Sequence, residues 1–215
     1  MNVLHAKESG DKHRFSVEGL DYDIEIPFVT LNGTNGPVRI ASLNLVGQIR
    51  LNIDLGRLLA QKVLSVVGNM DGLVILTVVE KALQLAQVLA MELGVDSVAV
   101  AYNRVKPHME AHCRPLVQVG TDSITSGSKF LAVYERDLNL LLQARGILLL
   151  DDVVSSGGTI LGLAELLEEV ALRRGGEAPK IEGIFCVAQE GDTHPLLPAP
   201  LYALTTLPKP VCLKK

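Results

Sequence analysis

The feature that most constrains this chain is residues 147–159, which read ILLLDDVVSSGGT. Four apolar residues at 147–150 predict a buried β-strand. Asp151 and Asp152 follow at its carboxyl end, and a Ser/Gly/Thr stretch then leads into apolar residues at helical spacing. Ligands of open α/β sheets bind at the carboxyl ends of the strands. The segment therefore predicts a strand, a helix and a binding site between them.

The loop in this segment has the chemistry of a phosphate site. Glycines let a backbone approach a ligand closely, and loop amides and a helix N-terminus favour an anion. Ser155, Ser156 and Thr159 add hydroxyl donors. Two carboxylates beside a phosphate would repel it unless they bind hydroxyls or a metal, so we interpret the ligand as a sugar phosphate. The alternative is a simple turn with a helix cap. The spacing matches neither a P-loop nor a dinucleotide-binding loop.

The surrounding pattern predicts an α/β fold with a parallel sheet flanked by helices. Continuous apolar runs predict strands at 73–77, 97–102, 147–150 and 181–188. Helical spacing predicts helices at 53–67, 80–93 and 159–174. Continuous rather than alternating apolar strands indicate a sheet covered on both faces. Before residue 51, two Asn-Gly dipeptides between residues 24–31 and 38–43 predict an antiparallel hairpin.

The length of 215 residues fits one sizeable core. We predict a single domain over 1–215, with a core at about 53–190 and a flexible loop at about 104–134. A small hood, which is a subdomain built from the terminal segments, is expected at about 1–51 and 191–215. No apolar run is long enough for a membrane span.

Composition argues against several partners and compartments. The net charge of −4 and the 4% aromatic content give no basis for binding nucleic acid. Cys113, Cys186 and Cys212 show no CxxC spacing, which favours a reducing, cytoplasmic compartment. A zinc site is an alternative interpretation of four potential metal ligands, His108, Glu110, His112 and Cys113. Their spacing matches no zinc-enzyme motif.

Residues 147–159 resemble the signature of type I phosphoribosyltransferases for binding 5-phosphoribosyl-1-pyrophosphate (PRPP). The resemblance implies that Asp151 and Asp152 contact the ribose hydroxyls. It also implies that the 5′-phosphate is held by a loop of seven residues, Val153, Val154, Ser155, Ser156, Gly157, Gly158 and Thr159. Ser155 stands where 6-oxopurine enzymes carry an acid, which favours the adenine type.

Residues 76–86 are similar to the pyrophosphate loop of the purine group, particularly the adenine/xanthine-like enzymes. Residues 104–109 resemble the basic segment that reaches pyrophosphate in relatives, across the interface in dimeric ones. The implied pyrophosphate ligands are Thr77, Val78, Val79, Glu80, Lys81, Arg104 and Lys106. Two positions depart from the family, because many relatives carry an acid at Val79 and a glycine at Ala82. The alternative is that Glu80 and Lys81 only cap a helix.

Ser123, Thr125 and Ser126 fall where the family has its flexible catalytic loop, although an ordinary exposed hairpin is the alternative. The resemblance implies Mg²⁺-dependent transfer of a phosphoribosyl group from PRPP to a purine base, as in purine salvage, giving a nucleotide and pyrophosphate. The implied catalytic residues are Asp151, Asp152 and Lys81. The two acids are expected to contact Mg²⁺ through water or the ribose hydroxyls. We also expect a homodimer.

A second hypothesis is a non-catalytic regulator that senses PRPP on the same fold. It follows from the departures at Val79 and Ala82. A structural protein that binds no nucleotide is a third, weaker hypothesis.

Overall fold

The structure is a computed structural model that describes residues 10–33, 36–104, 117–123, 127–192 and 196–213. Its strands are β1 (Lys12–Phe15), β2 (Ile24–Gly33), β3 (Gly36–Ala41), β4 (Leu73–Val78), β5 (Ala99–Ala101), β6 (Val117–Ser123), β7 (Gly127–Val133), β8 (Gly146–Val154), β9 (Lys180–Glu190), β10 (Leu201–Leu207) and β11 (Val211–Cys212). Its helices are α1 (Ile49–Val67), α2 (Leu83–Leu93), α3 (Glu135–Gln143) and α4 (Gly158–Arg174).

A five-stranded parallel sheet forms the centre, in the order β10-β9-β8-β4-β5. This confirms the predicted fold class and all four predicted sheet strands. Strand β8 continues four residues past the predicted end, through the acid pair to Val154. It does so because its carboxyl end keeps pairing with β9, with Asp151 opposite Cys186 and Val154 opposite Gln189.

Helices cover both faces of this sheet, as the continuous apolar strands predict. Leu55 and Leu59 of α1 and Leu85 and Leu89 of α2 pack on one face, together with Phe185. The opposite face carries α3 and α4. Its buried residues from the helices and strands are Leu138, Leu141, Ile160, Leu163, Leu167, Ile147, Leu149 and Ile184.

Three differences from the expected elements concern boundaries and a missed helix. Helix α1 begins at Ile49 rather than 53, and α2 begins at Leu83 rather than 80 because residues 79–82 form a turn. Helix α3 was not predicted. The sequence features that mark this helix span only a few residues. Glu135 and Asp137 lie in the first turn, and Leu138 and Leu141 are its buried apolar residues.

The predicted N-terminal hairpin is confirmed as β2 and β3, which lie in an antiparallel sheet of order β1-β2-β3-β11. We call this sheet the hood sheet. Ile24, Ile26, Leu43 and Leu45 from this region join the core cluster that contains α1 and α2. Helix α1 leads through a short turn into β4, so its first turn and the hood sheet lie at the carboxyl edge of the parallel sheet. The Gly47 N–H donates to Gln84 Oε1 (2.7 Å) at the start of α2, consistent with this placement.

The C-terminal segment divides between the two sheets, whereas all of residues 191–215 were expected in the hood. Leu201–Leu207 is an edge strand of the parallel sheet, paired with β9. Only Val211–Cys212 pairs with β3 of the hood sheet. Prolines 198, 200, 208 and 210 flank β10. A strand bounded by prolines suits an edge, where one side needs no hydrogen-bonding partner.

The insertion at about 104–134 contains an antiparallel hairpin of β6 and β7. Tyr102 forms a β-bridge with Ala132, and Leu131, Ala132 and Val133 of β7 are buried. The expected catalytic-loop residues Thr125 and Ser126, the basic Lys106, and the zinc candidates His108, Glu110, His112 and Cys113 lie outside the described residues. Ser123 is the last residue of β6.

Close packing of α1 on α2 supplies a test of this fold. A Cβ on Gly56 would lie 2.5 Å from Val88 Cγ1 and 2.9 Å from Val88 Cβ. Ala gains about 1 kcal/mol of helix propensity over Gly, but overpacking costs about 1–3 kcal/mol. We expect Gly56→Ala to lower the free energy of unfolding, measured by urea denaturation. Gly176→Ala is the control, since its Cβ meets open space. Equal or higher stability for Gly56→Ala would disprove the close approach.

Candidate active site

The two predicted acids lie at the carboxyl end of β8, the central strand. Asp152 is buried, with 5% of its surface exposed, and Asp151 is half-buried. The Asp152 N–H donates to Asp151 Oδ1 (2.9 Å). Asp152 Oδ2 is buried and has no hydrogen-bond partner among the described residues. A buried acceptor without a partner is costly, so this oxygen is suited to a ligand that brings its own donor.

The surroundings of this pair disfavour the ionised form of Asp151. Burial raises the pKa of Asp151 well above its usual range, and the neighbouring charge and hydrogen bond of Asp152 raise it further. The Asp152 N–H and the Lys81 ammonium act in the opposite direction and lower the pKa of Asp151. Because β4 and β8 are parallel neighbours, paired as far as Thr77 and Leu150, the turn after β4 and the end of β8 lie at the same edge of the sheet.

Cys186 lies beside this site, opposite Asp151 in the sheet. Burial raises the pKa of the Cys186 thiol to about 12, and the charges of Asp151 and Asp152 contribute to the increase. Its Sγ donates to the Ala188 carbonyl (3.3 Å). The thiol therefore stays neutral near pH 7, and we assign it a packing role rather than a nucleophilic one.

The Ser/Gly loop connects β8 to α4 with a left-handed turn. Gly157 has φ 76° and is buried, a conformation in which a Cβ would be strained. Helix α4 starts at the next residue, and no side chain caps its N-terminus. Uncapped amides and the helix dipole favour an anion at this position. Ser155 and Thr159 are half-buried and Ser156 is exposed in the same loop.

The turn at residues 79–82 occupies the neighbouring strand end. Its Val79 N–H donates to Ala101 O (3.0 Å), and the Val79–Glu80 peptide bond is cis. Glu80 and Lys81 are exposed, whereas Ala82 is fully buried. Helix α2 has no side-chain cap, so the interpretation of Glu80 and Lys81 as capping residues finds no support.

The side chain of Thr77 is engaged within the sheet. It is fully buried in β4, and its hydroxyl donates to the Leu150 carbonyl (2.9 Å). That bond joins β4 to β8 immediately before the acid pair. Thr77 therefore holds the two strand ends together, and only its backbone remains for a ligand.

Arg104 lies exposed just beyond β5 at the same edge of the sheet. Lys106 lies outside the described residues, so the expected basic pair is described only at Arg104.

Sequence reasoning missed a cleft of about 880 Å³ between the hood sheet and the start of α1. Tyr22, Asn44 and Gln48 are among its lining residues, and the acid pair and the 155–158 loop are not. Residues of β2 and α1 come together in this cleft only through tertiary packing. No local sequence pattern therefore predicts the cleft. Across the described residues, no helix is long and apolar enough to cross a membrane.

Comparisons with known proteins bear on the family and the fold of the chain. The phosphoribosyl transferase domain family matches residues 46–176, which is more than half of the chain. Among curated proteins, no sequence matches the chain significantly.

Solved structures of low sequence identity share the fold. Adenine phosphoribosyltransferase of Rhodothermus marinus is 16% identical with a TM-score of 0.55, covering 84% of this chain and 94% of the other. The enzyme of Giardia lamblia, complexed with 9-deazaadenine, is 19% identical with a TM-score of 0.52, covering 83% and 93%. The Trypanosoma brucei enzyme, in complex with AMP, pyrophosphate and ribose-5-phosphate, is 16% identical with a TM-score of 0.52, covering 78% and 70%.

The raised pKa of Asp151 predicts how its removal changes stability with pH. When folding raises the pKa of a carboxyl, ionisation of that group lowers the free energy of unfolding of the protein. The loss develops as pH rises from the unfolded pKa, about 3.9, through the folded pKa. We therefore expect Asp151→Asn to stabilise the ligand-free protein by about 1 kcal/mol or more at pH 7, with the gain vanishing below about pH 4. Urea denaturation across this range is the measurement. Asp192→Asn, a change at an exposed carboxylate paired with Lys209, is the control. A gain that does not depend on pH would contradict the assignment.

Proposed function

This chain belongs to the phosphoribosyl transferase domain family, and we propose that it transfers the 5-phosphoribosyl group of PRPP to a purine base. The products are a nucleoside monophosphate and pyrophosphate. One observation carries the proposal: the acid pair, the uncapped start of α4 and the Lys81 ammonium meet at one edge of the sheet. The ligands of the Trypanosoma brucei enzyme, AMP, pyrophosphate and ribose-5-phosphate, correspond to the two ends of this reaction.

The acid pair binds the ribose of the sugar phosphate, and the loop binds its phosphate. Asp151 and Asp152 accept hydrogen bonds from the ribose hydroxyls, and Asp152 Oδ2 gains the donor that it lacks in the protein. The 5′-phosphate lies in the loop of residues 153–159, where Gly157 and the first amides of α4 approach it. This places the anomeric carbon above the carboxyl edge, between the loop and the turn at 79–82.

The chemical step breaks the bond between C1 and pyrophosphate, and the electron pair leaves with the pyrophosphate oxygen. A ring nitrogen of the base forms the new bond to C1 and releases its proton. Lys81 and Arg104, with Lys106 beyond the described residues, neutralise the leaving group. Since negative charge on pyrophosphate grows as the bond breaks, these cations stabilise the transition state more than the bound substrate.

The residues present fit a magnesium ion that arrives with the substrate. Mg²⁺ prefers oxygen ligands and often sits on substrate phosphates with several waters retained. Among the described residues there is no cluster of three or more metal-ligating side chains, but the acid pair has an unpartnered oxygen. Asp151 and Asp152 would hold the ion through water or the ribose hydroxyls. When bound, Mg²⁺ supplies positive charge on the pyrophosphate.

Closure and assembly complete the proposal. The β6–β7 hairpin, with Ser123 at the end of β6 and Thr125 and Ser126 beyond it, covers the substrate and excludes water. The base lies beneath the hood sheet. A homodimer is proposed because the basic segment after β5 reaches across the interface in dimeric relatives. The three dispersed cysteines favour a cytoplasmic location for purine salvage.

A second candidate function, a non-catalytic PRPP sensor, is favoured by the turn at 79–82. Ala82 is fully buried at a position where many relatives have glycine, and Val79 replaces an acid. The Ala82 side chain occupies space next to the proposed pyrophosphate site, and Val79 removes a negative charge there. Both functions need the 5′-phosphate loop, so only turnover separates them.

Asp152→Asn tests the ribose contacts. Loss of a charged hydrogen bond costs about 1.5–3 kcal/mol, so we expect at least about a tenfold weaker affinity for PRPP with Mg²⁺. Calorimetry measures the affinity, and circular dichroism confirms that the variant is folded. Asp192→Asn serves as the control because that carboxylate is exposed and paired with Lys209. Unchanged affinity in a folded Asp152→Asn protein would refute the assignment.

Lys81→Ala separates the enzyme from the sensor. We expect it to lower kcat by at least about tenfold, with a smaller effect on PRPP affinity, because leaving-group charge grows toward the transition state. Lys180→Ala is the matched control, since Lys180 pairs with Glu182 at the opposite end of the sheet. Nucleotide and pyrophosphate formation is measured with adenine, hypoxanthine, guanine and xanthine. Tight PRPP binding by wild-type protein without turnover on any base would favour the sensor. Val79→Glu with Ala82→Gly would then test whether these positions silence the site.

A further inference from the structure

No step of the proposed reaction uses the cleft between the hood sheet and the start of α1. Its volume of about 880 Å³ lies within the range of small-molecule sites, about 300–1,000 Å³. Leu43 and Leu51 give it apolar walls. Ser42, Asn44 and Gln48 bring polar side chains to it. Apolar walls with a few polar groups are typical of a site for a small organic molecule.

The charges around the cleft disfavour a phosphate group. Its charged lining residues are Arg14, Asp21, Asp23, Glu25 and Arg50. The Arg14 guanidinium pairs with Asp23 (2.8 Å), and that of Arg50 pairs with Asp54 (3.6 Å). Among the lining residues that the structure describes, no unpaired cation is therefore left for an anion. The cleft suits an uncharged ring such as a nucleobase better than it suits a sugar phosphate.

The side-chain amides of Asn44 and Gln48 are placed by the loop that carries them. The Val46 N–H donates to Asn44 Oδ1 (3.1 Å), which leaves the Asn44 Nδ2 group to donate to a ligand. Gln48 immediately precedes α1, but its side chain makes no capping hydrogen bond. Its backbone is held instead, because its carbonyl accepts a hydrogen bond from Nδ2 of the buried Asn52 (2.8 Å). The Gln48 amide can therefore donate to a ligand and accept from it at once.

The same loop adjoins the turn that is proposed to bind pyrophosphate. Gly47, which lies between the two amide residues, donates its N–H to Gln84 Oε1 (2.7 Å). Gln84 is in the first turn of α2, two residues after the turn at 79–82. In the proposed reaction the base bonds to the carbon that pyrophosphate leaves, so the base must lie next to the pyrophosphate site. The cleft meets this requirement, because residues on either side of Gly47 line it.

We propose that Asn44 and Gln48 determine which base the protein accepts. The Gln48 amide pairs with a donor and an adjacent acceptor on the edge of a purine held in the cleft, and Asn44 Nδ2 donates to a second acceptor. This inference rests on the proposed function, and it narrows the substrate. Purines with an amino or keto group at C6 carry a donor next to an acceptor on this edge. A nucleotide of unsubstituted purine offers acceptors only, so it leaves the Gln48 carbonyl unpaired.

Calorimetry on wild-type protein and two variants tests this pairing. Gln48→Ala removes one amide, and Asn44→Asp keeps the oxygen that accepts from Val46 but removes the Nδ2 donor. The ligands are the tightest binder among AMP, IMP, GMP and XMP, purine riboside 5′-monophosphate, whose ring has no N–H, and ribose 5-phosphate. We expect wild-type protein to bind the first about tenfold more tightly than the second, and Gln48→Ala to remove this difference. Asn44→Asp should bind the first about tenfold more weakly than wild type does. Both variants should keep the wild-type affinity for ribose 5-phosphate.

Gln61→Ala is the matched control, because Gln61 is exposed on the same helix, away from its start. It should leave all three affinities unchanged. An undiminished difference between the two nucleotides in Gln48→Ala would overturn the proposal. Equal losses for all three ligands would also overturn it, since they indicate a structural role. If Gln48→Ala fails to fold, Asn44→Asp decides on the same criterion, a loss confined to nucleotides.

These outcomes are independent of turnover, so they separate this inference from the proposed function. A wild-type protein without turnover whose nucleotide affinity depends on Gln48 would refute the enzyme and leave the recognition standing. A protein that turns over a purine while both variants bind nucleotides as wild type does would refute the recognition and leave the enzyme standing.

Discussion

The structure depends on the pairing of β8 with a strand on each side, β4 and β9. Two-sided pairing satisfies the backbone groups of β8 as far as Leu150. Pairing with β9 alone then continues to Val154, and it carries Asp151 and Asp152 into a partly buried position that a free loop would not give them. The Thr77 hydroxyl joins β4 to β8 at Leu150, one residue before the acids. The register of three strands thus determines where the carboxylates stand relative to the turn at 79–82.

This arrangement opposes the stability of the ligand-free protein. Burial and the mutual repulsion of two carboxylates disfavour the ionised form, and Lys81 offsets only part of the cost. Active sites commonly carry such costs, which the ligand relieves. Under the proposed function, ribose hydroxyls would supply donors to the acids, and a cation bound with pyrophosphate would supply positive charge. The electrostatics that disfavours the ligand-free site would then favour the binding of a sugar phosphate.

The hood sheet is tied to the core rather than tethered by a linker. Its apolar residues pack in one cluster with α1, α2 and the end of β9, and Gly47 bonds to Gln84 beside the pyrophosphate turn. The hood sheet and the face of the parallel sheet that carries α1 and α2 therefore form one packed unit.

Local sequence determined the elements that carry the chemistry. The apolar run, acid pair and glycines at 147–159 specify a strand, a site and a helix because hydrophobic periodicity and glycine conformation act over a few residues. The same local rules placed the N-terminal hairpin. Long-range packing decided the rest: the extension of β8, the transfer of Leu201–Leu207 to the parallel sheet, and the bond from Thr77 to Leu150. These depend on which strands become neighbours, and strand neighbours are set by the burial of distant residues in a common core, which no local pattern encodes.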